Sequence, residues 1–100
     1  MAYVYMLECA DGSLYTGFAL DVEARVACHN AGLGAKYTRS RLPVRLVWRQ
    51  QLPTPRLARR AEAYIKRLTR QQKQRLAAGQ ISLMQACPQL SAEMMQDNNQ

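Results

Sequence analysis

The stretch that decides the fold reads Tyr3-Val4-Tyr5-Met6-Leu7-Glu8-Cys9-Ala10-Asp11-Gly12-Ser13-Leu14-Tyr15-Thr16-Gly17-Phe18-Ala19. Two runs rich in Tyr, Val, Leu and Thr flank Ala10-Asp11-Gly12, the pattern of a β-hairpin. The length of the loop sets what each strand presents. A two-residue Asp11-Gly12 turn places Tyr5 opposite Phe18 and sends Tyr5 and Tyr15 to opposite faces. A three-residue loop with Gly12 left-handed pairs Cys9 with Ser13, Leu7 with Tyr15 and Tyr5 with Gly17, so that both phenols share a face. The three-residue register is the expectation.

Beyond the hairpin, Asp21 is a candidate N-cap for a helix of about three turns. Val22 and Val26 step by four along it, Arg25 and His29 do the same, and Gly32-Leu33-Gly34 stops it. A basic loop, Ala35-Lys36-Tyr37-Thr38-Arg39, leads to a third strand over Val44 to Gln51 that begins just after Pro43. Thr54 and Pro55 open a second helix with Leu57, Ala61, Ile65 and Leu68 as its buried stripe, and a third helix is expected from about Thr69 to Ala78. The order ββαβαα makes an α+β domain, a small three-stranded antiparallel sheet with flanking helices, over residues 1–79. Residues 80–100 lose pattern and read as a tail that frays or is partly disordered, with little meaning attached to Met84, Met94 and Met95.

Composition narrows the function. With 100 residues one core is expected, and no apolar run approaches the eighteen or so residues a membrane span needs. The N-terminus goes directly into a strand pattern without a signal-like segment, which makes a cytoplasmic protein the expectation. Cys9, Cys28 and Cys87 are scattered and odd in number, suggesting neither disulfides nor a zinc site. All fourteen basic residues lie between Arg25 and Arg75 against one acid, Glu62, so this segment carries +13 in a chain of net charge +7. Such an asymmetry suits a binder of phosphate backbones better than of acidic membranes, for which a basic helix with an aromatic-anchored apolar stripe is wanted. Tyr37 among Lys36, Arg39 and Arg41 offers a stacking platform for a base within a basic loop. The alternative is a solvated charged loop.

Tyr5, Tyr15-Thr16-Gly17, Arg25, His29 and Glu62 together resemble the GIY-YIG nuclease superfamily over about Tyr3 to Lys73. Val4-Tyr5 stands for the first half of its motif and Tyr15-Thr16-Gly17 for the second. The string from Asp11 to Gly17, with His29-Asn30 and Gly34-Ala35-Lys36-Tyr37-Thr38, is similar to the small stand-alone bacterial members of the YhbQ-like type. The resemblance implies an endonuclease that hydrolyses phosphodiester bonds of DNA, structure-selective and serving repair or recombination. It implies one weakly held Mg²⁺ or Mn²⁺ on Glu62, and it nominates Tyr5 as general base. A monomer or weak dimer is expected, and a catalytically silent nucleic-acid-binding module is the alternative.

Phosphodiester hydrolysis needs an activated water, stabilisation of extra charge on phosphorus and help for the leaving oxygen. Arg25 supplies a permanent forked charge, and His29, one turn later, exchanges protons near neutrality. A free phenol is ionised only about once in a thousand at pH 7, so Tyr5 must relay its proton to His29 or be assisted by the surrounding positive charge. Tyr15 orients water or phosphate, and Gly17 lets the phosphate approach the sheet. Lys36, Tyr37, Thr38, Arg39, Arg41 and Lys66 are the expected nucleic-acid contacts. Read without the resemblance, Glu62 is equally a member of a surface ion-pair cluster with Arg59 and Lys66. Phe18-Ala19 stands where some superfamily members have an active-site lysine, and Asn98 and Asn99 are the only late asparagines.

Overall fold

A computed structural model describes residues 1–98; Asn99 and Gln100 lie outside the described residues. Strand β1 (Ala2–Glu8) is the middle strand of an antiparallel sheet, with β2 (Leu14–Ala19) on one side and β3 (Arg45–Leu52) on the other. The hairpin takes the three-residue register: Tyr5 faces Gly17 and Leu7 faces Tyr15. Gly12 carries the positive φ of 82° that this loop requires, and the Cys9 N–H donates to the Ser13 carbonyl at 2.9 Å.

Helix α1 (Val22–Asn30) is capped by the Asp21 carboxylate, which accepts from the Ala24 N–H at 3.1 Å. The basic loop closes into one helical turn, α2 (Lys36–Arg39). Helix α3 (Pro55–Lys66) starts on the Thr54 hydroxyl with Pro55 in its first turn, and α4 (Arg70–Ala77) starts on a Thr69/Gln72 capping box.

Because β1 is central, both of its faces are covered. Ala2, Val4 and Met6 pack with Leu57, Ala58, Ala61 and Ile65 of α3, whereas Tyr5 and Leu7 turn to the other side with Val22 of α1 and Val44. Full burial of each large aliphatic side chain contributes about 1.5–3 kcal/mol, so the α3 face carries most of the folding energy. The Asn30 side chain fastens α1 to the start of β3, donating to the Val44 carbonyl at 3.0 Å and accepting from its N–H at 2.8 Å.

The stretch after residue 80 differs from the expected fraying tail. It forms α5 (Leu83–Ala86) and α6 (Gln89–Asn98), and Leu83, Cys87 and Leu90 are buried in the same cluster as α3. Met84 and Met94 pack partly against that cluster, while Met95 is exposed. Among the described residues no helix is long and apolar enough to cross a membrane.

Candidate active site

Tyr5 leaves the middle of β1 on the α1 face and lies over its partner position on β2. That position is Gly17, where a Cβ would stand 2.6 Å from the Tyr5 hydroxyl. The glycine was expected to admit a phosphate; instead it is buried and makes room for the phenol. The hydroxyl meets His29 Nε2 at 3.1 Å, and His29 Nδ1 meets the Thr38 hydroxyl at 2.8 Å. Thr38 in turn donates its only hydroxyl proton to the Ala35 carbonyl at 2.9 Å.

That last bond fixes the direction of the chain. With its proton committed, Thr38 can only accept from His29, so Nδ1 carries the hydrogen and Nε2 presents its lone pair to the Tyr5 O–H. Thr38 was expected to touch nucleic acid; it is wholly buried and is a positioning residue for His29. Gly34 serves the same ring, since a Cβ there would lie 2.2 Å from Nδ1.

Burial dominates the titration of both relay groups. Tyr5 is 1% exposed and its pKa is pushed up to about 12 by loss of solvent. The nearby Arg25 guanidinium pulls in the opposite direction, but loses. Of the two aids open to this phenol, positive charge is outweighed by burial, and contact with His29 is the one the geometry supplies. His29, fully buried, is held below its ordinary value by desolvation first and by the Arg25 charge second, and so is neutral at pH 7.

Glu62 belongs to the same neighbourhood. Helix α3 packs along β2, one of the two edge strands, and the Glu62 charge is close enough to add to the upward shift of Tyr5. Its side chain is 20% exposed and lies 3.3 Å from the Lys66 ammonium, the ion pair that the helix spacing anticipates. Lys66 also sits 5.9 Å from the centre of the Tyr15 ring, and Tyr15 packs edge-on to His29 at 5.2 Å. Tyr5, Tyr15, Arg25, His29 and Glu62 are thus gathered around the middle of the free edge of β2.

Among the described residues no three His, Cys, Asp or Glu side chains converge as a metal cage. One half-buried carboxylate beside a solvent-open edge suits a hard cation that keeps most of its water, as Mg²⁺ does, and would hold it weakly.

The basic residues divide into engaged and unengaged. Arg41 is tied to Asp11 at 3.0 Å and to the Tyr37 carbonyl at 2.8 Å, and its guanidinium lies 3.9 Å above the Tyr37 ring. It is therefore a brace for Tyr37 before it is a contact for substrate, and it covers one face of the platform expected there. Arg45 pairs with Glu8 and Arg49 with Glu23, both at 2.6 Å, so acids of the opening segment fold back onto the basic one. Lys36 and Arg39 are exposed and, with Arg70 and Lys73, form no ion pair among the described residues.

Comparison with known proteins agrees with the resemblance read from the motif. The family model of the GIY-YIG catalytic domain matches residues 1–75. A UPF0213 protein of Streptococcus sanguinis is 57% identical over 72 residues, spanning 72% of this chain and 83% of that protein. The solution NMR structure of a UPF0213 protein from Bacillus halodurans is 48% identical with a TM-score of 0.51, covering 78% of this chain and 84% of the other. The solution NMR structure of the protein EF2693 from E. faecalis is 42% identical with a TM-score of 0.53, covering 80% of this chain and 86% of the other. Paired half-motifs on a tight hairpin, an arginine and histidine one turn apart and a glutamate on the helix behind them are carried by a chain that belongs to the GIY-YIG catalytic domain family.

Proposed function

We propose that this protein is a divalent-metal-dependent endonuclease that hydrolyses phosphodiester bonds of DNA, with structure-selective cutting in repair or recombination as its setting. The observation that carries the reading is the oriented relay from the Tyr5 hydroxyl through His29 to Thr38 and the Ala35 carbonyl. A catalytic base must have somewhere to send a proton, and a neutral buried imidazole with its lone pair aimed at a phenol is such an acceptor.

In this reading the attacking water gives its proton to the Tyr5 oxygen as the Tyr5 proton passes to His29 Nε2. No free phenolate forms, which suits a pKa of about 12. Tyr5 is almost completely buried, so the attacking water has to be delivered to it with the substrate, and Arg25 and Glu62 are the charged groups whose fields reach it. Arg25, itself exposed and near the phenol, brings its fork onto the phosphate oxygens and stabilises the growing charge. Glu62 would hold a Mg²⁺ or Mn²⁺ ion, whose contribution is Lewis-acid polarisation of the phosphate and help for the leaving oxygen. The imidazolium formed on His29 is disfavoured by the burial and the charge that lower its pKa, so the relay resets once product leaves.

The same burial favours the alternative, a nucleic-acid-binding module without activity, because a phenol 1% exposed is also what a packed structural tyrosine looks like. Cleavage of single-stranded, duplex, flapped and branched DNA with Mg²⁺ or Mn²⁺ separates the two. The nuclease reading expects product from the native chain, none from Glu62→Gln and a rate lowered by roughly 10²–10⁴ in Tyr5→Phe; binding without product on every substrate would leave only the module.

A further inference from the structure

Next to the reactive centre, along the free edge of β2, lies a cleft of about 350 Å³ lined by Leu14, Tyr15, Thr16, Tyr37, Lys66 and Lys73. A second hollow continues it past Arg70 and shares Leu14, Tyr37 and Lys73. The first sits at the small end of the range of about 300–1,000 Å³ typical of sites for single small molecules. Its chemistry is divided. Tyr15 and Tyr37 are nearly parallel, 25° apart with centres separated by 6.1 Å, and Arg41 braces Tyr37 from one side. Lys66 and Lys73 supply cationic heads, and Lys73 has no ion-pair partner among the described residues. Thr16 lines the same cleft, is 3% exposed, and carries the one buried side-chain polar atom among the described residues without a hydrogen-bond partner.

We propose that this cleft is a subsite for one unpaired nucleotide flanking the cut phosphate, its base against Tyr15 and Tyr37 and its own phosphate on Lys66 and Lys73. A paired base inside a duplex has both faces stacked and cannot offer one to a tyrosine, whereas an extruded or single-stranded base can. Rotation about the side-chain bond of Thr16 turns its hydroxyl to the bound phosphate, giving that buried group a partner. The assignment rests on the nuclease reading for the position of the cut, and it narrows the substrate to nucleic acid with a single-stranded segment at that point.

The test is a titration of the ¹⁵N-labelled full chain with thymidine 3′,5′-bisphosphate without divalent ions, followed by NMR, with inorganic phosphate as a parallel probe. The nucleotide is expected to shift the amides of Leu14 to Thr16, Tyr37 and Lys73. Lys73→Glu is expected to weaken it about tenfold and Thr16→Val several-fold, while Arg75→Glu, an equal charge change outside the cleft, stays within about twofold. Equal losses in Lys73→Glu and Arg75→Glu would reduce the cleft to part of a general basic surface. Inorganic phosphate binding as tightly to the same amides would remove the base from the assignment, and shifts elsewhere would overturn it. The measurement needs no cleavage, so a chain that fills this cleft but never cuts DNA would refute the nuclease reading and leave the nucleotide site standing.

Discussion

The central strand is buried on both faces, and the two faces are differently built. Against α3, Val4 and Met6 of β1 meet Leu57, Ala61 and Ile65, an apolar interior with little need for direction. Against α1, the alternate residues of the same strand place Tyr5 beside His29 and Thr38, where each buried polar atom depends on a particular partner. An apolar face tolerates repacking and loses energy roughly in proportion to the atoms removed, whereas a hydrogen-bonded chain fails when one member is lost. If the proposed relay operates, one strand of alternating pattern serves stability on one side and proton transfer on the other, and substitutions on the two sides should separate rate from stability.

The largest expected effect is on rate. Tyr5→Phe keeps the ring and removes the proton path, and should lower kcat by roughly 10²–10⁴, the usual worth of a general acid–base group, with a modest change in melting temperature. Loss of folding in place of rate would mean that Tyr5 is a packing residue. Next comes Leu57→Ala on the opposite face, expected to cost about 2–5 kcal/mol in denaturant unfolding while the rate per folded molecule holds. A rate that fell with Leu57→Ala in the fully folded chain would show that the faces are not separable.

The dependence on pH sharpens the same contrast. The folded pKa of His29 is depressed, so the unfolded chain binds more protons on the acid side, and the stability that neutral His29 contributes is present above its ordinary value of about 6.5 and lost as pH falls through the folded one. Activity follows the same group, with its acid limb below about 6.5. Above that limb the relay predicts a plateau up to pH 9 or so, because Tyr5 passes its proton on without ionising. A base acting as free phenolate would instead gain roughly tenfold per pH unit toward its pKa of about 12. A kcat profile between pH 6 and 9 distinguishes them.

Much of the fold was legible because local chemistry decided it. Asp11-Gly12 with strand-like flanks marked the hairpin but left two registers open, of which the structure takes the three-residue one, and Asp21, Thr54 and Thr69 marked helix starts that the structure keeps. Arg25 and His29 could be placed together from helical spacing, but Tyr5, Tyr15 and Glu62 joined them only through the family resemblance, since the spacing of Glu62 by itself reads as an ion pair with Lys66. What could not be read were contacts made by chain segments that only meet in three dimensions. Thr38 looked like a member of a basic loop, and nothing in its neighbours indicates that a helical turn folds its hydroxyl under His29. Gly34 looked like a helix stop, and its second purpose, clearance for the imidazole, needs the ring in place. The apolar positions 83, 87 and 90 do keep helical spacing, but Pro88 divides them between α5 and α6, which hides the period in a polar sequence. Gly34→Ala is expected to cost about 1–3 kcal/mol by overpacking and to displace His29 as well, a joint effect on stability and rate that no residue of the α3 face should reproduce.

The smallest expected effect tests whether the late helices belong to the face that stabilises or to the face that reacts. Glu93 of α6 accepts from Tyr64 of α3 at 2.9 Å and lies 2.7 Å from Arg60, which holds its carboxylate below the usual range. Both partners flank Glu62 in sequence but turn toward α6, while Glu62 and Lys66 turn toward β2. Removing one bond to an acid with little exposure should therefore loosen α6 without moving the carboxylate that faces the site. Tyr64→Phe is expected to cost about 0.5–1.5 kcal/mol, to speed amide exchange first in residues 89–96, and to leave kcat within twofold. If kcat fell with stability, α6 would be holding Glu62 in place through α3, and the division between the faces would run through that helix instead of between the two sides of the sheet.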